Sequence, residues 1–231
     1  MLQPFGPDIW LSDGPTVTGA MGFRFPTRMV VIRLPDEGGL WVWSPVAVSE
    51  NVQAAIDALG PVRYLVAPNN LHYTYLADWA ANYPTAQVHA APRLFEEMAG
   101  VTIDQRLSDT PNSVWSDAID QVLVPGNRIT TEIVFFHKAS STMIVTDWLQ
   151  QIPRGWYHGW RAVVAKLDLM TSSQPSVPRK FRLATNDRNV TREAVQRIVA
   201  WDAERLVFAH GPPQSTRGRE TFRRAFEWLL D

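Results

Sequence analysis

The sequence predicts an α/β protein in which two β-sheets pack face to face and helices cover the outside. Three observations carry this. Strand-like runs open the chain as an antiparallel meander, a β-α-β-α rhythm that favours parallel pairing follows, and a second group of strands, AIDQVLV, EIVFFH and TMIVTD, precedes the closing helices. A length of 231 residues with 45% hydrophobic and 19% charged residues suits one large domain better than two small ones.

Residues 8 to 44 alternate DIWLS, MVVIRL, the turn Pro35-Asp36-Glu37-Gly38-Gly39 and LWVWS. Ser49 is placed to cap a helix through Leu59, because Val52, Ala55, Ile56 and Leu59 recur at helical spacing and Gly60-Pro61 stops the run. RYLVA at 63 to 67 is a short buried strand. A helix follows over Tyr73 to Asn82, then the strand QVHAA at 87 to 91 and a short helix from Pro92 to Met98. Residues 100 to 117 are polar and irregular. Beyond the second strand group, 156 to 170 reads as a helix and 171 to 190 as a Pro/Ser-rich connection. Thr191 then caps an amphipathic helix to about Ala203, RLVFAHG forms a buried strand ending in His210, and 216 to 230 closes the chain as a helix. There is no low-complexity tract and no short-period repeat.

Composition bounds the chemistry. The net charge of −1 gives no field that would gather nucleic acid or an anionic membrane, so neither is expected as a partner; a polyanionic partner would need a local patch. The absence of cysteine removes disulfides, thiolate ligands and a cysteine nucleophile, so any metal must sit on histidine and carboxylate. MLQPFGPDIWLSDG has no basic stretch leading into an apolar run, and no apolar segment approaches the roughly 20 residues that span a bilayer. A cytoplasmic protein is expected. The ten tryptophans are expected in the core and against the sheets.

Of the histidines His72, His89, His137, His158 and His210, only His72 and His210 stand where a strand has just ended, and Asp147 ends TMIVT in the same way. Strand ends on one sheet edge project side chains from a rigid frame into a crevice, which suits a metal needing several donors within about 2.0–2.2 Å. The bland alternative is equally open at this point: His72 and Asp147 cap the segments after them, and His210 starts the GPP turn. His89 lies inside a strand and His158 at an aromatic helix start, so both read as structural. His137 reads as a surface or hairpin histidine on the face of its strand opposite Glu132. The arginines Arg217, Arg219, Arg223 and Arg224, with Arg179, Lys180 and Arg182, form either a basic rim for an anionic substrate or a solvated face balanced by Glu220 and Glu227. No phosphate-cradling Gly-rich loop, nucleophile elbow or nucleotide fingerprint is present.

VAPNNLH up to His72, TMIVTD up to Asp147 and the late FAHG resemble the metallo-β-lactamase superfamily. More closely, GGLWVWSPV, LGPVRYLVAPNNLHYTYLADWAANYP, FFHKASSTMIVTD and AHG resemble its DUF4336 family. The resemblance covers most of the chain and implies a four-layer αββα sandwich formed as one domain over residues 1 to 231. Set against the superfamily's HxHxDH motif, His72 matches the last histidine, while Ala67, Asn69 and Leu71 replace the first two histidines and the aspartate. Asn127, after Pro125-Gly126, replaces the next histidine. The resemblance therefore implies a first metal position without ligands and a second that keeps His72, Asp147 and His210, for one divalent Zn, Fe or Mn ion or none. It implies a metal-dependent hydrolase of unstated substrate, with Asp147 orienting water and Asn69 and Asn127 donating hydrogen bonds to substrate. Glu132, close after the lost ligand, is a further metal candidate. The alternative is an inactive scaffold that binds a small molecule or a partner.

Overall fold

The computed structural model describes residues 2–36, 38–97 and 100–231. β1 (Gln3–Gly6), β2 (Ile9–Thr18), β3 (Arg24–Arg33) and β4 (Leu40–Trp43) form the antiparallel meander. After α1 (Glu50–Asp57), the strands β5 (Val62–Ala67), β6 (Gln87–Ala90) and β7 (Gln105–Arg106) add in parallel, with α2 (Leu76–Asn82) and α3 (Pro92–Glu97) between them. Among the described residues this is a seven-stranded sheet in sequence order. β8 (Ile119–Val124), β9 (Glu132–His137) and β10 (Thr142–Gln150) pair antiparallel in a second sheet. The helices α4 (Trp160–Leu167), α5 (Arg179–Ala184) and α6 (Arg188–Val199) then lead to β11 (Arg205–His210), which joins β10 in parallel, and α7 (Gly218–Ala225) and α8 (Glu227–Leu230) end the chain.

Alternation along the strands explains the layers. In β4, Trp41 and Trp43 point into the space between the sheets, and Leu40 and Val42 point out toward α1 and α2. In β10, Ile144 points inward while Met143 and Val145 face α6 and α7. Strands apolar on both faces have helices over their outer side, which gives the αββα sandwich. A guanidinium joins the two sheets: Arg28 of β3 donates to the carbonyls of Phe208, at 3.0 Å, and of Gly211, and its Nε donates to Asp13 at 2.8 Å.

Local signals placed several elements well. Ser49 caps α1, its Oγ accepting the Val52 N–H at 3.4 Å, and Val52 and Ile56 are buried as the stripe required. Others needed correction. α6 begins three residues before Thr191, because Asp187 is the residue whose side chain accepts from the Val190 N–H. Thr191 is instead buried within the helix, its hydroxyl donating to the carbonyls of Pro125 and Asp187. The connection 171 to 190 contains α5, the closing helix is two helices meeting at Phe226, and β1 was not anticipated. Met98, the expected end of α3, and Glu37 of the Pro35–Gly39 turn lie outside the described residues. The tryptophans fill the core as composition suggested, Trp41, Trp43, Trp79, Trp115 and Trp148 being fully buried, with Trp160 a notable exception at 48% exposed.

Candidate metal centre

The ends of β5 and β11 and a break within β10 converge at one edge of the sandwich, so Asp147 stands inside its strand and not at the end the sequence suggested. Past Ala67 the chain turns on Asn69, whose Oδ1 accepts the N–H of Leu71 (2.8 Å) and of His72 (3.0 Å), a side-chain-closed turn that aims His72 into the cleft. β10 continues past Asp147, but its register with β11 breaks between Val145 and Gln150, and Asp147 projects from that break. A broken ladder re-aims a side chain that a regular strand would hold against its neighbours. His210 ends β11, and its Nδ1 lies 2.8 Å from the Pro26 carbonyl of β3.

His72, Asp147 and His210 each offer one donor atom, and the three atoms lie within 4.8 Å of one another. The Nε2 of His72 is 3.3 Å from Asp147 Oδ2, and the Nε2 of His210 is 3.2 Å from Asp147 Oδ1. Donors bound at about 2.1 Å in a tetrahedron stand about 3.4 Å apart, so these separations suit one ion. The hydrogen-bond logic agrees. Because the Pro26 carbonyl can only accept, His210 Nδ1 carries a proton, and a neutral His210 then turns its Nε2 lone pair toward a carboxylate oxygen. Two acceptors at 3.2 Å need a proton or a cation between them.

The electrostatics are strongly coupled. Burial would raise the Asp147 pKa, but His72 and His210 outweigh it and hold the carboxylate well below its usual range. For His72, burial opposes the charged form, while Asp147 and, more weakly, Glu132 reverse that and leave the imidazole pKa raised.

Glu132 and the two asparagines take roles other than those expected. Glu132 is 0% exposed; its Oε1 accepts the Thr146 N–H at 2.6 Å and its Oε2 those of Asp147 at 2.9 Å and Trp148 at 3.4 Å. Its oxygens thus replace the missing strand partner across the register break, which corrects the expectation of a metal ligand. Burial and the Asp147 charge push its pKa up to about 7, against the Thr146 hydrogen bonds. Asn69 is 0% exposed, and its Nδ2 faces Asp147 (2.7 Å), Thr146 (3.0 Å) and Glu132 (3.4 Å), so the amide ties two acids together and has no hydrogen left for substrate. Asn127 donates to the Phe181 carbonyl and Thr185 and accepts from Ile129 and Thr130; it closes a loop and does not reach the site.

Sequence reasoning missed four supports. Ser44 ends β4 and its Oγ lies 2.8 Å from His72 Nδ1, while its own φ of 49° is left-handed, a costly conformation for a residue with a Cβ. The strand-end rule that singled out His72 and His210 also selects Ser44. Trp43 stacks on His72 at 6.3 Å, and Phe25 packs on His210 at 5.2 Å. The Pro26 carbonyl had no signal, since its partner lies 184 residues away.

The remaining histidines stand apart. His158 is exposed. His137 is 1% exposed and therefore not a surface residue; its Nδ1 meets Ser140 Oγ at 2.7 Å in the β9–β10 hairpin. His89 is 1% exposed and packs on Trp115 at 4.7 Å. Burial lowers both pKa values to about 4, Asp8 and Asp104 opposing only in part. A histidine depressed below its unfolded value near 6.5 stays neutral while the unfolded chain takes up a proton, so its contribution is complete above pH 6.5 and is lost as pH falls toward 4. Urea melts between pH 7 and 4.5 should show His137→Asn losing stability with a slope shallower than the parent's by up to about one proton. An unchanged slope would refute a neutral native His137; His72, raised, acts in the opposite sense and is common to both proteins.

Of the basic residues, Lys180 stands beside the cleft, its ammonium 5.6 Å over the Phe25 ring that packs on His210, while Arg182, Arg217, Arg219 and Arg224 are engaged elsewhere. Arg217 pairs with Glu220, Arg219 is 3.5 Å from Asp202, and Arg224 donates to Gln174, all on outer helices. Lys180 is 3.4 Å from Asp168, and Arg182 lies over Trp228.

Two sheets inside four layers, with histidine and carboxylate donors at one edge, define a protein of the metallo-β-lactamase fold, and solved structures agree. Similar structures include a metallo-β-lactamase from Pontibacter korlensis (12% identity, 98% of each chain, TM-score 0.64). FIM-1 from Pseudomonas aeruginosa in its mono-zinc form is 14% identical over 100% of this chain and 94% of its own, TM-score 0.66. An Erythrobacter litoralis enzyme with β-mercaptoethanol in its active site is 14% identical over 99% and 95%, TM-score 0.66. At such identities the likeness shows the fold. The family described as "Domain of unknown function (DUF4336)" matches residues 8–158, and the chain belongs to it. A search of curated proteins finds no match.

Proposed function

We propose that this protein is a metal-dependent hydrolase working through one divalent cation held by His72, Asp147 and His210. The observation that carries the reading is the convergence of these three donors within 4.8 Å, with the outer nitrogen of His210 bound to Pro26 so that its inner nitrogen faces the site. Two imidazoles and one carboxylate suit Zn2+, with Fe2+ or Mn2+ as alternatives. When bound, the cation supplies a Lewis acid that polarises an acyl or phosphoryl electrophile and acidifies water.

The chain's own residues do the rest. Asp147 stays ionised at neutral pH and is an acceptor able to orient an attacking water. Glu132 and Asn69 hold the Asp147 backbone and carboxylate in place. Leu71 and Tyr73, each 43% exposed, give the loop beside His72 an apolar edge for substrate. The mono-zinc form of FIM-1 supports the reading, since that enzyme shares the fold and takes a single metal in that form.

A second reading, a binding scaffold without turnover, draws on the Asn69 amide, which already links Asp147 to Glu132. Metal-loaded protein assayed on chromogenic lactam, ester, thioester and phosphodiester substrates separates the two. Turnover of one class, lost on chelation and in Asp147→Asn, supports the hydrolase. Metal bound with no turnover of any class favours the scaffold, and turnover indifferent to both treatments overturns the metal mechanism.

A further inference from the structure

α4 is amphipathic in the sense opposite to that of an ordinary surface helix. Trp160, Val163, Val164 and Leu167 stand at i, i+3, i+4 and i+7, so they share one face. That face points to solvent: the four are 48%, 60%, 41% and 60% exposed, while the core side seats the small Ala165 against Phe23, Tyr157 and Met170. Met21, 73% exposed at the β2–β3 turn, adjoins the helix, its carbonyl accepting from Arg161 Nε at 3.0 Å.

Cations flank the apolar face. Arg161 lies along one side of it and Lys166 along the other, as the helical spacing requires. Beside Lys166 runs a groove of about 590 Å3 lined by Arg154, Tyr157, Thr171, Ser172 and Ser173, with no acidic residue among its described lining. Neither Arg154 nor Lys166 is paired with a carboxylate among the described residues. The acid nearest Lys166 in sequence, Asp168, is engaged by Lys180 through both its side chain and its backbone N–H.

We propose that α4 and this groove dock the protein on an anionic lipid surface. Trp160, Val163, Val164 and Leu167 enter the boundary between headgroups and acyl chains, and Arg154 and Lys166 meet lipid phosphates. A helix with an apolar stripe, an interfacial tryptophan and basic flanks has the chemistry for that boundary. A second copy fits less well. Two copies meeting symmetrically across α4 would bring Arg161 and Lys166 toward their own counterparts, and one short helix face falls well below the roughly 800 Å2 per partner of a stable interface. The overall charge of −1, on which a membrane partner was not expected, does not oppose this, because charges beyond about 10 Å are screened and the patch acts locally.

Vesicle flotation tests the proposal, using phosphatidylcholine alone and phosphatidylcholine in which about a quarter of the lipid is phosphatidylglycerol. The full chain should float with the anionic vesicles at low salt and much less with the neutral ones. Arg154→Gln with Lys166→Gln should weaken partitioning roughly 30-fold. Val163→Glu with Leu167→Glu, both at exposed positions and checked by an unchanged melting temperature, should abolish it. Flotation that survives the glutamate pair, equal binding to neutral vesicles, or no binding at low salt overturns the proposal. So does a dimer that the glutamate pair dissociates while no vesicle is bound, which would name a second copy as the occupant.

Discussion

Protein incubated with Zn2+ and freed of excess metal by gel filtration should retain about one equivalent, and Asp147→Asn should retain none under the same treatment. The substitution is isosteric, so it leaves the packing around the break in β10 in place and removes the one anionic donor. His210→Ala should do the same, because it removes a donor that Pro26 has already oriented. Ser44→Ala, which touches only the outer nitrogen of His72, should weaken binding by about 10-fold to 100-fold without abolishing it. Metal should also stabilise the fold by about 2.7 kcal/mol when free ion stands at 100 times Kd, an upward shift in melting temperature absent from the first two variants. Retention of a full equivalent by Asp147→Asn would show that the metal sits elsewhere, and its absence from the parent protein would remove the centre altogether.

At pH 8, above the value of about 7 at which the Glu132 carboxyl loses its proton, Glu132→Gln should cost about 3 kcal/mol, although glutamine has the same shape. The carboxylate accepts from the N–H groups of Thr146, Asp147 and Trp148 and from the Asn69 amide, and it is fully buried. Glutamine offers one oxygen and one NH2, so at least one backbone donor then faces another donor with no water to replace the lost bond. For a chain of this length the melting temperature should fall by roughly 10 °C. Since Glu132 holds the segment that presents Asp147, metal affinity should fall with it even though Glu132 touches no metal. A loss below about 1 kcal/mol would show that the Thr146–Trp148 backbone does not depend on this carboxylate.

The contrast between these residues shows how much of the site was legible in advance. One local rule, that polar residues ending apolar strands gather at a sheet edge, singles out His72, Asp147 and His210 but leaves capping and turn roles equally open for them; the resemblance to the metallo-β-lactamase superfamily is what points them to a metal. Asn69, Asn127 and Glu132 could be located near that edge but not assigned work, because each is defined by its hydrogen-bond partners. Asn69 faces Asp147, 78 residues on, and Asn127 faces Phe181, 54 residues on. α6 shows the same limit on a smaller scale: Asp187 and Thr191 are both able caps, and the choice between them rests on the packing of Thr191 under Pro125.

The layered architecture, the strand faces and the candidate donors were therefore inherent in the order of residues, because periods of two and 3.6 residues are properties of a chain's own neighbours. Partner choice was not. Which carboxylate bridges the histidines, which one holds the backbone, and that α4 turns its apolar stripe outward depend on groups meeting across the sandwich, and no local pattern encodes those meetings. They became definite when β3, β10 and β11 closed on one edge and supplied, or withheld, a partner for each buried polar group.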